Sequence, residues 1–177
     1  MEDVKDLRME QAQGGGAILQ SLMSKVPGFS GYLEKEHRKG ADAKHREFIA
    51  KRITAKKKAI QDIGEILMEN GGLDHLDKLD GLSNICDRVI ERTRHASQGF
   101  SSFMDTNVVD AERLDRIYEH DLTMLERVEG LDESIGVLEE AAENSDNVGK
   151  AIRNVKKSLQ AVDADLDTRD KILKGLE

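Results

Sequence analysis

The sequence predicts an all-α protein: an elongated, antiparallel, coiled-coil-like four-helix bundle with a flexible N-terminal arm. Three observations lead there. Apolar residues recur at steps of three and four over long stretches, the rhythm that keeps one stripe of a helix against a partner. A single proline, Pro27, occurs in 177 residues, which suits long unbroken helices and not a turn-rich β fold. Charged residues make up 35% and aromatics 3% of the chain, with no tryptophan. That leaves little material for a thick core, whereas a helix needs only a narrow apolar stripe.

Residues 1–16 are polar and end in Gly14-Gly15-Gly16; they read as the arm. Residues 17–32 form a short amphipathic helix and turn. Ala17, Ile18, Leu22 and Val26 share one side, Leu19 and Met23 lie beside them, and Pro27-Gly28 stops the helix. Residues 33–177 form a single helical-bundle domain.

Its first long helix runs over 33–70. The second half carries a seam at Ile49, Ile53, Lys56, Ile60, Ile63 and Leu67, and Asn70-Gly71-Gly72 ends it. The second helix, 73–96, offers Leu76, Leu79, Leu82, Cys86, Val89 and Ile90. Phe100, Phe103 and Met104 are expected to plug one end of the bundle, and Thr106 or Asn107 to cap the third helix. That helix, 108–143, has a stripe of Leu114, Ile117 or Tyr118, Asp121 or Leu122, Leu125, Val128, Leu131, Ile135, Leu138 and Ala142. Ser145 or Asp146 is the expected cap of the fourth, 147–176. There Val148, Ile152, Val155, Leu159, Val162, Leu166, Arg169, Leu173 and Leu176 step by four and three without a slip, and only Arg169 is polar. Short connections turn neighbouring helices antiparallel. At a rise of about 1.5 Å per residue the first and third helices are ~50–57 Å long. Gly40, Gly64, Gly81, Gly130, Gly136 and Gly149 fall inside helices. They are expected to mark kinks or close backbone approaches, since each costs up to about 1 kcal/mol against alanine.

The net charge of −8 argues against a free protein that holds nucleic acid by charge alone. The one cysteine, Cys86, makes no internal disulfide and falls on an apolar face, where an inert thiol is expected. The acidic, polar start "MEDVKDLRMEQAQ" is unlike a signal peptide, and no apolar run is long enough to span a bilayer. The expectation is a cytoplasmic protein.

Charge is divided unevenly. From Glu34 to Lys58 there are ten Lys or Arg and four acidic residues; from Asp110 to Asp146 there are thirteen acidic residues and three arginines. A basic helix beside an acidic one selects the pairing, while the apolar seams hold it. The seam nevertheless fades before Phe48. Stepping back from Ile49 gives Arg46, Asp42, Lys39 and Lys35, which are not core types, and the stripe Leu33, His37, Ala41, His45 and Phe48 is thin. The first half of this helix is therefore expected to project. With the adjoining aromatics it supplies the candidate partner-binding residues: Phe29, Tyr32, Lys35, Arg38, Lys39, Arg46, Lys51, Arg52, Lys56, Lys57 and Lys58.

No catalytic or cofactor-binding residues stand out. There is no Gly-x-Ser-x-Gly and no phosphate-cradling glycine loop. Glu34-x-x-His37 and Asp42-x-x-His45 have the spacing of dimetal bundles, but both lie on one helix with the histidines about 12 Å apart. Glu91-x-x-x-His95 stands alone. Asp163, Asp165, Asp167 and Asp170 resemble a calcium loop, but Thr168 and Lys174 occupy its glycine and glutamate positions. The expected function is that of a non-enzymatic scaffold or adaptor acting through protein–protein contacts, including self-association through the fourth helix if its stripe is not consumed internally. The alternatives are charge-driven binding of nucleic acid or acidic membrane through residues 35–58, and a ferritin-like metal-binding bundle.

Overall fold

The seams predict helices, and helices are what form. The computed structural model describes residues 16–95 and 111–176, which contain five α-helices and no strand. They are α1 (Gly16–Lys25), α2 (Lys35–Glu69), α3 (Leu76–His95), preceded by a 3₁₀ turn at Leu73–His75, α4 (Ala111–Glu143) and α5 (Val148–Lys174). The protein is thus an all-α helical bundle. The arm up to residue 15, the expected plug of Phe100, Phe103 and Met104, and the expected caps Thr106 and Asn107 lie outside the described residues.

Helix ends follow local chemistry. Three helices close with the same C-terminal motif, in which a residue of positive φ turns the chain and the next N–H reaches back to satisfy an orphan carbonyl. Gly72 N–H donates to Leu67 O after Gly71 (φ 78°), Asp146 N–H to Ala141 O after Ser145 (φ 54°), and Leu176 N–H to Lys171 O after Gly175 (φ 67°). The last of these takes Leu176 off the helix. It is 65% exposed, which corrects its expected place in the stripe. Asn147, not Ser145 or Asp146, stands at the start of α5, where its carbonyl accepts from the N–H groups of Lys150 and Ala151.

The described residues fall into two compact units. The first comprises 16–48, 94–95, 111–125 and 165–176; the second comprises Ile49–Thr93 and Glu126–Ala164. The second has the aliphatic core the seams predict: Ile49, Ile53, Ile60, Ile63 and Leu67 of α2 are buried, as are Leu82, Cys86 and Val89 of α3. Val128, Leu131 and Leu138 of α4 and Val155, Leu159 and Val162 of α5 complete it. Lys57 meets Asp87 at 2.7 Å, and a Cβ on Gly64 would lie 3.4 Å from Leu79, so these parts of α2 and α3 run in opposite directions. His75 approaches Gly149 while Arg88 and Arg92 hold Asp163, so α3 and α5 run in the same direction. Of the six glycines expected to mark kinks or close backbone approaches, a Cβ on Gly64 or Gly149 would make only ordinary contact with a neighbouring side chain, Leu79 at 3.4 Å or His75 at 3.8 Å, and one on Gly40, Gly81, Gly130 or Gly136 would meet nothing within 4 Å.

The first unit corrects the sequence reading. Residues 33–48 do not project, for Arg38, Ala41, Asp42 and His45 are all buried. The seam does not fade before Phe48; it continues from Ile49 through His45, Asp42 and Arg38 in steps of four, three and four, with polar residues in the core positions.

Candidate functional site

The polar core of the first unit is built around a loop. Gly28 (φ 74°) and Gly31 (φ 79°) take backbone conformations that L side chains rarely adopt. They fold residues 26–34 so that Phe29, Tyr32 and Leu33 all turn inward. A Cβ on Gly31 would stand 2.8 Å from the Tyr118 hydroxyl, so this glycine is required for space as well as for backbone angle. Lys44 Nζ donates to Gly28 O at 2.8 Å, tying the loop to α2. The Tyr32 ring stacks on Tyr118 with centroids 5.5 Å apart and meets Phe29 edge-on at 5.2 Å.

Tyr32 then joins a buried ionic network. Its N–H donates to Tyr118 Oη at 2.7 Å, and its own hydroxyl donates to Asp121 Oδ2 at 2.7 Å. Arg169 donates through Nε to Asp121 Oδ1 at 2.5 Å, and through Nη2 to Asp121 Oδ2 at 3.1 Å and Tyr32 Oη at 3.0 Å. The same Nη2 lies 3.1 Å from Asp42 Oδ1, an ion-pair contact without hydrogen-bond alignment. Asp42 Oδ2 accepts from Arg46 Nε at 2.7 Å. Arg38 donates through Nε to the Tyr32 carbonyl at 2.7 Å and through Nη2 to that of Leu33 at 3.3 Å. Four chain segments therefore meet through the buried side chains of Tyr32, Asp42, Asp121 and Arg169.

Burial and charge set the protonation states. Burial alone would raise the Asp121 pKa, but the Arg169 guanidinium overrides it. With His45 and the two hydrogen bonds it brings the carboxyl down to about 2. Burial and the Asp121 charge raise the Tyr32 phenol well above its ordinary range, and burial takes that of Tyr118 to about 12. His45 is pushed down, first by burial and then by Arg169, against the pull of Asp121 and Asp42. Its Nδ1 lies 3.8 Å from Asp121 Oδ2, and neither ring nitrogen makes a hydrogen bond. Burial thus disfavours the charged imidazole. Tyr32, Tyr118, Asp42, Asp121, His45 and Arg169 are all buried.

The candidate partner-binding residues separate on this structure. Phe29, Tyr32 and Arg38 are core residues, and Lys56 is buried in the α2 seam with its ammonium on Asp132. Arg46 is half-buried on Asp42 and the Arg94 carbonyl, and Lys57 pairs with Asp87. Lys35, Lys39, Lys51, Arg52 and Lys58 are exposed. Cys86 is fully buried, and burial raises its thiol pKa to about 11. The α5 stripe from Val148 to Leu173 is buried within the chain itself, so the condition for self-association through it is not met. Among the described residues no three His, Cys, Asp or Glu side chains are placed to hold a metal ion, and no helix is long and apolar enough to cross a membrane.

An accessible groove, which the sequence reading did not anticipate, lies in the second unit. It encloses about 320 Å³ between α3 and α5. Leu82, Ile85 and Ile152 form its apolar lining, and Gly81 and Gly149 keep it open. Lys78, Arg153 and Lys156 stand on its rim, all exposed. No carboxylate lines it, and among the described residues none of the three cations has a side-chain partner. Its signal in the sequence is a spacing: 78, 81, 82, 85 on one helix and 149, 152, 153, 156 on the other, each one face of two turns.

No protein-family model, curated protein or solved structure matches the chain.

Proposed function

We propose that the protein is a cytoplasmic, non-enzymatic scaffold or adaptor that works through protein–protein contacts made on its helix faces. The observation that carries this reading is the α3–α5 groove, an apolar floor within a rim of three cations that have no side-chain partner among the described residues, on a chain of net charge −8. An apolar centre with a polar rim is the anatomy of a protein interface. The buried network supports the reading by holding its own helices rigidly, since a scaffold gains from surfaces whose geometry is fixed before binding. Cys86, enclosed and unpaired, suits a reducing compartment.

The test is purification of the tagged full-length chain from its source cells, followed by reconstitution with purified candidates. The reading expects a defined protein that rebinds in pure form and stays bound in high salt, because apolar contact is not screened. It fails if no protein reconstitutes and the chain instead binds heparin or anionic vesicles with a steep salt dependence.

A further inference from the structure

The groove has a shape and a charge pattern that select among ligands. We propose that it seats one face of an acidic amphipathic helix from a partner protein. This rests on the adaptor reading and names the partner's chemistry.

The lining residues of both walls recur at i, i+3, i+4 and i+7, so each wall is a single helix face. The two walls run in the same direction, as the approach of His75 to Gly149 and the grip of Arg88 and Arg92 on Asp163 require. Two such faces side by side leave a channel along the helix axes, ~10 Å long for seven residues of rise. A third helix laid along a channel of this kind inserts side chains spaced three and four apart, the helix-in-groove mode of recognition. About 320 Å³ is at the lower end of ligand pockets, which span ~300–1,000 Å³. It accommodates a few aliphatic side chains.

The cations decide between a helix and a compact anion. A site for a small carboxylate or phosphate places its polar groups so that they converge on one point. Here Lys78 and Arg153 stand on different helices, and Lys156 stands almost a turn beyond Arg153 on α5. All three are on the exposed rim, while the base is Leu82 and Ile152, both buried. A complementary ligand must spread its negative charge along the channel and keep it away from the apolar strip. Glu or Asp flanking an apolar stripe on a helix does this, because residues three and four apart share a face. A bilayer surface would require a broad apolar face, and the apolar floor of this groove is recessed between two helices.

The experiment is selection from a displayed library of helical peptides, with leucine or isoleucine fixed at i, i+3 and i+7 and the flanking positions free to be acidic, basic or neutral. The bait is the full-length chain. Enrichment of Glu and Asp at the flanking positions is expected. A synthesised winner should bind roughly tenfold or more weaker to Lys78→Glu/Arg153→Glu/Lys156→Glu, and more weakly in higher salt. The three reversals are on exposed positions, and circular dichroism and the thermal midpoint check that the fold is kept. Gly81→Leu is the second variant. A Cβ there meets nothing within 4 Å, so the added side chain occupies the channel, and it should abolish binding with charge unchanged. The proposal is overturned if nothing enriches, if basic or neutral flanks win, or if the variants bind winners as the parent does. It is also overturned if phosphatidylserine vesicles, and no peptide, bind the parent in a way the charge reversals remove. Acidic winners alongside failure to reconstitute any cellular protein would sink the adaptor reading while leaving the groove's preference standing.

Discussion

Arg169 stands in α5 where the four-three rhythm asks for an aliphatic side chain, and it is buried there with Asp121, Asp42 and Tyr32 around its guanidinium. Removing one partner of a buried ion pair is far worse than replacing the pair, because the partner's charge is left without compensation. Arg169→Met is expected to cost about 3–5 kcal/mol in urea unfolding although methionine matches the apolar stripe. A cost under about 1 kcal/mol, the value of an exposed pair, would place Arg169 in solvent. His45 and Asp121 act in different pH windows. The folded-state pKa of His45 is depressed, so its contribution is intact above the ordinary value of 6.5. It is lost as pH falls below 6.5 and through the folded value, since unfolding then takes up a proton. The Asp121 carboxyl is likewise depressed, so its contribution is intact above 3.8 and is lost between there and about 2. Unfolding free energy measured against pH should therefore begin to fall just below 6.5. His45→Gln should flatten that first decline and leave the second in place. A wild-type profile level down to pH 4 would contradict the burial of a neutral imidazole.

At the scale of the helices, most of the fold was legible. Ile49 to Leu67, Leu79 to Ile90 and Val148 to Leu173 are all where a three-four repeat places them. What was not legible is how a seam continues once it turns polar. From Ile49 the rhythm can step back to Arg46 or to His45. Hydrophobicity selects neither, because the core residues on the true path are His45, Asp42 and Arg38. Only the matching breaks at Asp121 and Arg169 on other helices give those residues partners, and a one-dimensional reading does not bring them together. The groove is not legible in the sequence for the same reason, since Lys78 and Arg153 line one channel only when α3 and α5 pack. Lys56 shows the cost of a cation within an aliphatic seam. Its side chain is buried while its partner Asp132 is 70% exposed, so removing the lysine charge returns Asp132 to water at little cost. Lys56→Leu is expected to be neutral or stabilising by up to about 2 kcal/mol in thermal or urea unfolding. A loss of more than about 2 kcal/mol would mean the ion pair holds α2 to α4.

For the molecule as a whole, polar residues divide between the two units by where they stand. Arg38, Asp42, His45, Asp121 and Arg169 interrupt the seams of the first unit and are buried there, whereas Lys78, Arg153 and Lys156 stand exposed on the rim of the groove in the second. On the proposed reading, three rim cations with no side-chain partner among the described residues are presented to an acidic partner beside an apolar channel. The division depends on the network being closed to water, and the two tyrosines report on it directly. Tyr32 and Tyr118 are the only tyrosines in the chain, and both belong to the network. Spectrophotometric titration of the phenols is therefore the most direct test. In the native chain no phenolate should form near the ordinary value of 10, the first should arise toward 12 or together with unfolding, and the urea-unfolded chain should titrate both near 10. A phenol that ionises near 10 in the folded protein would contradict the buried network.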